Sequence, residues 1–204
     1  MTIYLNSYRP LISTKAGRNA SHTYGILPFV DGSCRREPDF ESPYPSISAL
    51  CRKGKFAPRL RKGHIIVYIT VKGKYCGGSS KSHWRLVSIL KVIKRFESHK
   101  DAAKWYKSKN LKLPSNCIVK GNNPLSMSRT IGKHCSLKGW DGLYKTRAKE
   151  YGVFLVCNIL YKELCNPPII DKKRMFVIFG KIPSTMNPPS ISKEQFKKLK
   201  RLLQ

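Results

Sequence analysis

Two apolar runs limit what this chain can fold into. Residues 65–71 and 84–93 are rich in isoleucine and valine, and a basic connection rich in glycine and serine, residues 72–82, joins them. Such residues favour strands, so the two runs predict neighbouring central strands of one sheet. Because both runs are apolar on each face, other elements must cover both sides of that sheet.

The remaining elements follow from shorter patterns. Further strands are predicted at residues 2–8, 153–161 and 175–180. Helices are predicted at residues 98–106 and 143–151 and in the C-terminal segment that begins with the capping box of Ser192 and Gln195. The polar residues 14–23 predict a loop, and residues 46–51 a short helical turn.

These elements predict an α+β fold. Residues 1–187 are expected to form one domain with long loop elaborations, and residues 188–204 a basic C-terminal helix. The helix has an apolar stripe that includes Phe196 and Leu199, with lysine and arginine around it. The irregular stretch 33–62 is long for a loop within a domain, and loops of that length are usually functional.

Charge is the strongest functional signal. Forty Lys and Arg residues stand against 11 Asp and Glu, which gives a formal net charge of +29, and no acid occurs in residues 42–96 or 102–140. A solvated surface normally mixes both signs, so this asymmetry predicts a surface that binds polyanions. Nucleic acid is the expected partner, with DNA favoured over RNA; no membrane partner is expected, and the oligomeric state is left open.

The cysteines and the N-terminus bear on the compartment. The seven cysteines are an odd number and include no C-x-x-C pair, which disfavours a disulfide framework or a zinc site. The N-terminal residues lack the pattern of a signal peptide, and no apolar run reaches the ~20 residues that span a bilayer. A cytoplasmic protein with reduced thiols is therefore expected.

Catalytic signatures are sparse. The chain has no P-loop, G-x-G-x-x-G, H-E-x-x-H or G-x-S-x-G motif. Glu37, Asp39 and Glu41 alternate in sequence and leave open a metal-dependent nuclease, although they could simply balance the adjacent Arg35 and Arg36. No cofactor, metal or catalytic residue is predicted.

A pocket for a nucleobase has better support. In the first central strand Tyr68 and Thr70 share one face and present hydroxyl groups there. Trp84, at the start of the next strand, could stack on a base. Extruded bases are held by such aromatic stacking together with hydrogen bonds to their edges.

The order of these elements resembles the PUA-like superfamily, which includes the EVE, ASCH and YTH domains. The matching segments are strand 65–71, its loop, strand 84–89 and helix 102–106. Residues 1–110 further resemble the nucleotide-modification-associated domains of phages and bacteria. That likeness rests on Tyr8-Arg9, residues 24–28, Cys34-Arg35-Arg36 and residues 63–68, and the chain departs from it at His64, where many relatives carry an acid.

The resemblance implies a small curved sheet or partly closed barrel whose pocket receives a flipped, often modified, base. The favoured hypothesis is a non-enzymatic reader of a modified or extruded base; an enzyme acting on nucleic acid, either a nuclease or a base-modifying activity, and a basic structural nucleoprotein component remain alternatives. The predicted base-binding residues are Tyr24, Tyr68, Thr70 and Trp84. The predicted phosphate-binding residues are Arg35, Arg36, Arg52, Lys53, Arg59, Arg61 and Arg85.

Overall fold

The structure is a computed structural model that describes residues 1–75 and 81–203. Its strands are β1 (Ile3–Tyr8), β2 (Ser46–Ser48), β3 (Ile65–Thr70), β4 (Trp84–Phe96), β5 (Phe154–Lys162), β6 (Ile169–Ile170) and β7 (Ser190–Ile191). Its α-helices are α1 (Lys15–Tyr24), α2 (His99–Ser108), α3 (Leu137–Glu150), α4 (Lys172–Phe179) and α5 (Lys193–Lys200). The predicted α+β class is confirmed.

Within the described residues the strands form one open sheet in the order β2-β5-β4-β3-β1-β7, with β6 paired to β4. The predicted pairing of the two apolar runs is confirmed, since β3 and β4 are antiparallel neighbours. On its other side β3 pairs with β1 in parallel, with Ile3 opposite Ile65 and Tyr8 opposite Thr70. Residues 76–80 of the predicted connection lie outside the described residues.

Both faces of the sheet are covered, as the apolar strands require. One face, here called the Tyr68 face, includes Tyr4, Ile66 and Tyr68 and packs against the long loop and α3. The other, the Trp84 face, includes Leu5, Val67 and Trp84. The buried side chains that cover the Trp84 face from β6, α4 and α5 are Ile170, Met175, Ile178 and Leu199.

Three predicted elements were wrong. Residues 14–23 form α1 rather than a loop: the Thr14 hydroxyl accepts from the backbone N–H of Gly17, and Gly25 ends the helix in the left-handed region at φ 61°. The sequence did not predict this helix because its buried face consists of the small residues Gly17 and Ala20, which form no apolar stripe. Residues 46–48 form β2, paired with β5, rather than a helical turn.

The third error was the predicted strand at residues 175–180, which belongs to α4. The Asp171 carboxylate accepts from the backbone N–H of Arg174, and Gly180 ends the helix at φ 73°. Met175 and Ile178 are spaced by three residues, so both reach the Trp84 face. A short apolar run does not distinguish a strand from a helix, and here the capping residues decide.

The long loop is part of the interior. Residues 31–40 are all buried, and their backbone is tied to distant segments. The N–H of Gly32 donates to the carbonyl of Arg9, and the N–H of Ile131 donates to the carbonyl of Gly32. A side chain at Gly32 would place its Cβ 2.3 Å from Ile131, so this crossing requires glycine.

Three further observations concern the rest of the described chain. None of its helices is long and apolar enough to cross a membrane. The six cysteines among the described residues are free thiols. The C-terminal α5 begins with the reciprocal hydrogen bonds of the predicted capping box between Ser192 and Gln195.

Candidate functional site

A cavity of about 340 Å³ lies on the Tyr68 face, between β1, β3, the long loop and α3. We call it the central cavity. Its aromatic lining consists of Tyr8, Phe56, Tyr68, Trp140 and Tyr144. Its polar lining includes Asn6, Asp31, Glu37 and Arg52, with Arg9 and His134 also on its wall. Apolar walls with a few placed polar groups are typical of small-molecule sites, whose volumes start near ~300 Å³.

The parallel pairing of β1 with β3 brings the first polar groups together. Asn6 lies opposite Tyr68 in the register, and both side chains are buried. Burial raises the pKa of the Tyr68 hydroxyl, and the neighbouring Asn6 side chain acts in the opposite direction. Among the described residues, Asn6 Oδ1 has no hydrogen-bond partner. An unpaired buried polar atom costs roughly 1–3 kcal/mol, so the amide is available to a ligand at the cavity wall.

Asp31 is the first of two buried carboxyl groups. Its Oδ1 accepts from the backbone N–H of Ser33 at 2.9 Å and of Glu37 at 3.0 Å, and from the Ser33 hydroxyl at 2.5 Å. Burial raises the pKa of Asp31 to about 6, although these hydrogen bonds and the nearby Arg36 act in the opposite direction. A carboxyl group near its titration point can accept or donate a hydrogen bond.

Glu37 is the second carboxyl group, and protein groups surround it. The Ser48 backbone N–H donates to Oε1 and Oε2 at 2.9 and 3.1 Å, and Asn116 Nδ2 donates to Oε2 at 2.9 Å. Burial nevertheless raises the pKa of Glu37 to about 8. Strongly shifted carboxyls in a cleft are typical of functional sites, yet Glu37 also fastens the long loop to β2.

An aromatic stack forms part of the cavity wall. The exposed His134 ring lies over buried Trp140, with centroids 4.0 Å apart and an interplanar angle of 21°. Trp140 is on α3, which the Ser136 hydroxyl caps by accepting from the N–H of Gly139. Partial burial lowers the pKa of His134, so the ring is neutral at pH 7. This wall offers a flat π surface beside the unpaired Asn6 amide.

The structure separates the predicted base-binding residues. Tyr68 lines the central cavity, whereas Trp84 is buried on the opposite face of the sheet among aliphatic side chains. The Thr70 hydroxyl accepts from the backbone N–H of Arg85 at 3.0 Å. Tyr24 is exposed at the end of α1, with the Arg129 guanidinium 4.8 Å from its ring centroid. Trp84 lies on the face of the sheet away from the central cavity, which argues against its stacking on a base there.

Three of the predicted phosphate-binding arginines are buried. Arg35 Nε donates to Asp141 Oδ1 at 2.6 Å, and its Nη1 donates to the carbonyls of Ser115 and Asn122. Arg36 Nη2 donates to the Arg129 carbonyl at 3.0 Å. Arg85 Nη1 donates to the Pro167 carbonyl at 2.7 Å. These three arginines use their guanidinium groups to bond interior groups of the protein, which argues against direct contact with phosphate.

The other predicted cations are accessible. Lys53, Arg59 and Arg61 are exposed, and Arg59 lies 5.3 Å from the Tyr4 ring centroid. Arg52 is partly buried and lines the central cavity, where Nη2 donates to the backbone carbonyl of Ser7. Phosphate binding by these four residues stays a prediction.

The three acids of the nuclease alternative do not converge. Asp39 Oδ2 accepts from the Ser115 backbone N–H at 2.7 Å, and Glu41 lies 3.4 Å from Arg36 Nε. Glu37 is held separately by Ser48. The described residues contain no group of three or more His, Cys, Asp or Glu side chains that could hold a metal ion. That geometry disfavours the metal-dependent alternative.

Sequence reasoning missed Asn6, Asp31, Trp140 and Tyr144. Asn6 had a usable signal, since Tyr4, Asn6 and Tyr8 alternate along β1 and so share a face. The cavity also depends on α3 lying beside β1, and no local pattern encodes a contact across more than 130 residues. No protein-family model, no curated protein and no solved structure matches the chain. Its function must therefore be inferred from the geometry of the central cavity.

Proposed function

We propose that this protein binds nucleic acid and receives one extruded base in the central cavity. The observation that carries the proposal is the combination of an aromatic wall with the unpaired Asn6 amide, in a chain of net charge +29. Stacking on aromatic rings and hydrogen bonds to the base edge are the two interactions that hold an unstacked base. The exposed His134 ring, which is stacked on Trp140, would provide the first, and Asn6 and Asp31 the second.

Exposed cations support the same conclusion. Arg9 is exposed and also lines the central cavity, so it is placed to meet a phosphate beside an inserted base. Lys53, Arg59 and Arg61 are exposed on the segment that precedes β3. Phosphate contacts of this kind supply affinity without selecting a base, whereas the cavity would supply selection.

The proposal extends to the kind of base. The resemblance to PUA-like domains implies a modified base, and the preference for DNA over RNA is retained from the sequence. Asn6 has both a donor and an acceptor, so it can distinguish bases by their hydrogen-bonding edges. A modification that changes shape or polarity would be sensed by the same walls.

The test is a binding assay with oligonucleotides that carry modified or unmodified bases, measured at several salt concentrations. Asn6→Ala should lose preference between the two classes by about 1–3 kcal/mol, while non-specific affinity is retained. Asn19→Ala, a substitution of the same type on the exposed side of α1, is the control. Each neutralised phosphate should contribute about 0.9 to the slope of log K against log salt on duplex DNA.

Two results would contradict the proposal. Affinity for oligonucleotides that does not change with salt concentration would show that the positive charge of the protein does not form a nucleic-acid-binding surface. A folded Asn6→Ala protein that keeps the parent's full preference between modified and unmodified oligonucleotides would show that the central cavity is not the base site, because that variant changes only the cavity wall.

A further inference from the structure

A second cavity, of about 650 Å³, lies between α2, α3 and the loop at residues 118–123. We call it the His99 cavity. Its walls include His99 from the first turn of α2 and the small apolar side chains Ile118, Val119 and Ala148. Three lysines, Lys120, Lys145 and Lys149, also line it, and all three are exposed. It shares no lining residue with the central cavity.

His99 is a polar group without a full set of partners. Its side chain is 5% exposed, and Nδ1 accepts from the backbone N–H of Ile118 at 3.0 Å. An imidazole that accepts at Nδ1 carries its proton on Nε2. Among the described residues, Nε2 has no hydrogen-bond partner. One residue of the cavity lining, His99, therefore carries a buried N–H donor without an acceptor.

The charges around this donor favour an anion. Lys145 Nζ is paired with Asp141 Oδ2 at 2.8 Å, but Lys120 and Lys149 form no ion pair within the described part of the chain. The one acid on the wall, Glu97, is already bound by Arg95, with Nε 2.8 Å from Oε1. Burial and the nearby Arg35 lower the pKa of His99 to about 4, which keeps the ring neutral at pH 7.

Hydrogen bonds and an ion pair hold part of the His99 cavity lining in place. Arg35 binds Asp141 on α3 and the carbonyls of Ser115 and Asn122, so one buried guanidinium joins α3 to the 115–122 loop. The side-chain amide of Asn122 donates to the carbonyls of Pro114 and Cys117 at 2.8 and 2.7 Å. A preformed site loses less entropy when a ligand binds.

From this geometry we infer that the His99 cavity is a separate binding site for a phosphate group. The His99 Nε2–H donates to a phosphate oxygen, and Lys120 and Lys149 balance its charge. The apolar residues Ile118, Val119 and Ala148 contact the organic part of the ligand. A free nucleotide and a backbone phosphate of nucleic acid share this chemistry. The site does not depend on base capture in the central cavity.

The test follows the His99 ring nitrogens and the backbone amides of residues 121–123 by NMR, in the full chain. Inorganic phosphate and thymidine 5′-monophosphate are the probes, and thymidine is the control without phosphate. Both phosphate-bearing probes should give saturable shifts at these positions, and thymidine should give none. Lys149→Gln should weaken binding about tenfold or more, the scale of one hydrogen bond to a charged group.

Two variants distinguish phosphate binding in the His99 cavity from non-specific attraction to the positive charge of the protein. His99→Asn keeps an acceptor near the Nδ1 position but removes the Nε2 donor, and should also weaken binding about tenfold. Lys107→Gln makes the same charge change as Lys149→Gln on an exposed position near the other end of α2, and should leave binding unchanged. Because Lys149 is exposed, its variant stays folded and the comparison can always be made.

A second arm identifies the source of the phosphate. An oligonucleotide that shifts the His99 nitrogens at concentrations far below those of free thymidine 5′-monophosphate indicates a backbone phosphate, and the reverse indicates a free nucleotide. No saturable shift at His99 with any phosphate-bearing probe would overturn the inference. Equal weakening by Lys107→Gln and Lys149→Gln would overturn it as well, because binding would then reflect net charge alone.

Discussion

The two faces of the central sheet are buried to a similar extent but built differently. The Trp84 face is closed by aliphatic side chains from α4 and α5, such as Met175, Ile178 and Leu199. The Tyr68 face is covered by a long loop and α3, and it contains the central cavity with two carboxyl groups and the unpaired Asn6 amide. Unpaired buried polar groups are unfavourable, so the Asn6 amide has a cost in stability on the Tyr68 face.

The largest expected effect tests the Trp84 face. Trp84→Ala should lower the free energy of unfolding by about 3–5 kcal/mol, because it removes an indole that is packed in a closed cluster. Phe176→Ala on the exposed side of α4 is the control and should cost far less, since Phe176 is 46% exposed. Urea denaturation measures both values.

The same variant tests whether the two faces are separate. Below its melting temperature, Trp84→Ala should keep any preference that the parent shows between modified and unmodified oligonucleotides. A variant that remains as stable as the parent but loses this preference would show that Trp84 belongs to the binding site, as the sequence predicted, and the comparison between the faces would fail.

The second prediction concerns Glu37 on the Tyr68 face. Its pKa rises from 4.5 to about 8 on folding, so between these values the folded state keeps a proton that the unfolded state has lost. Stability therefore falls as pH rises through this window. Asp31, with a pKa raised to about 6, acts in the same direction, whereas His99, with a pKa lowered to about 4, acts in the opposite direction below pH 6.5.

Glu37 consequently dominates between pH 6.5 and 8. One proton corresponds to about 1.4 kcal/mol per pH unit, so the parent should lose roughly 2 kcal/mol across this interval. Glu37→Gln should remove most of that slope, and Glu194→Gln on α5, where the acid is exposed, should retain it. The measurement is the free energy of unfolding of each variant at several pH values. Equal dependence of this free energy on pH in both variants would show that Glu37 is ionised in the folded protein.

The contrast between the faces also explains which parts of the fold the sequence could reveal. The β3–β4 pair followed from two runs rich in isoleucine and valine, and the division of β3 between two faces followed from residue alternation. The helices α1 and α4 were missed because their patterns are atypical: α1 buries the small residues Gly17 and Ala20, and α4 is composed largely of residues that also favour strands. In both cases the caps at Thr14 and Asp171 were visible in the sequence.

The site was harder to predict than the fold. Tyr68 lines the central cavity, but the other lining residues come from β1, the long loop and α3, which only tertiary packing brings together. Arg35 and Arg36 were assigned to phosphate because charged residues are usually exposed. The structure instead buries the Arg35 guanidinium against Asp141 and that of Arg36 against the Arg129 carbonyl. Glu41, one of the acids near them in sequence, lies 3.4 Å from Arg36 Nε, as the charge-balance alternative predicted.

The smallest expected effect comes from a single hydroxyl group on the Tyr68 face. Tyr68→Phe keeps the edge-to-face contacts with Tyr8 and Phe40, whose ring centroids lie 6.2 and 5.3 Å away, but removes the hydroxyl of the residue opposite Asn6 in the strand register. The loss of stability should be only about 1 kcal/mol, because water in the cavity can replace the hydroxyl. Preference between modified and unmodified oligonucleotides should fall as it does in Asn6→Ala, and the double variant should lose little more than either single one, since each removes one member of the same pair. Tyr4→Phe, on the same face but outside the cavity lining, is the control and should change neither quantity. Fully additive losses in the double variant would show that Asn6 and Tyr68 act independently, and the polar wall of the central cavity would then not work as a unit.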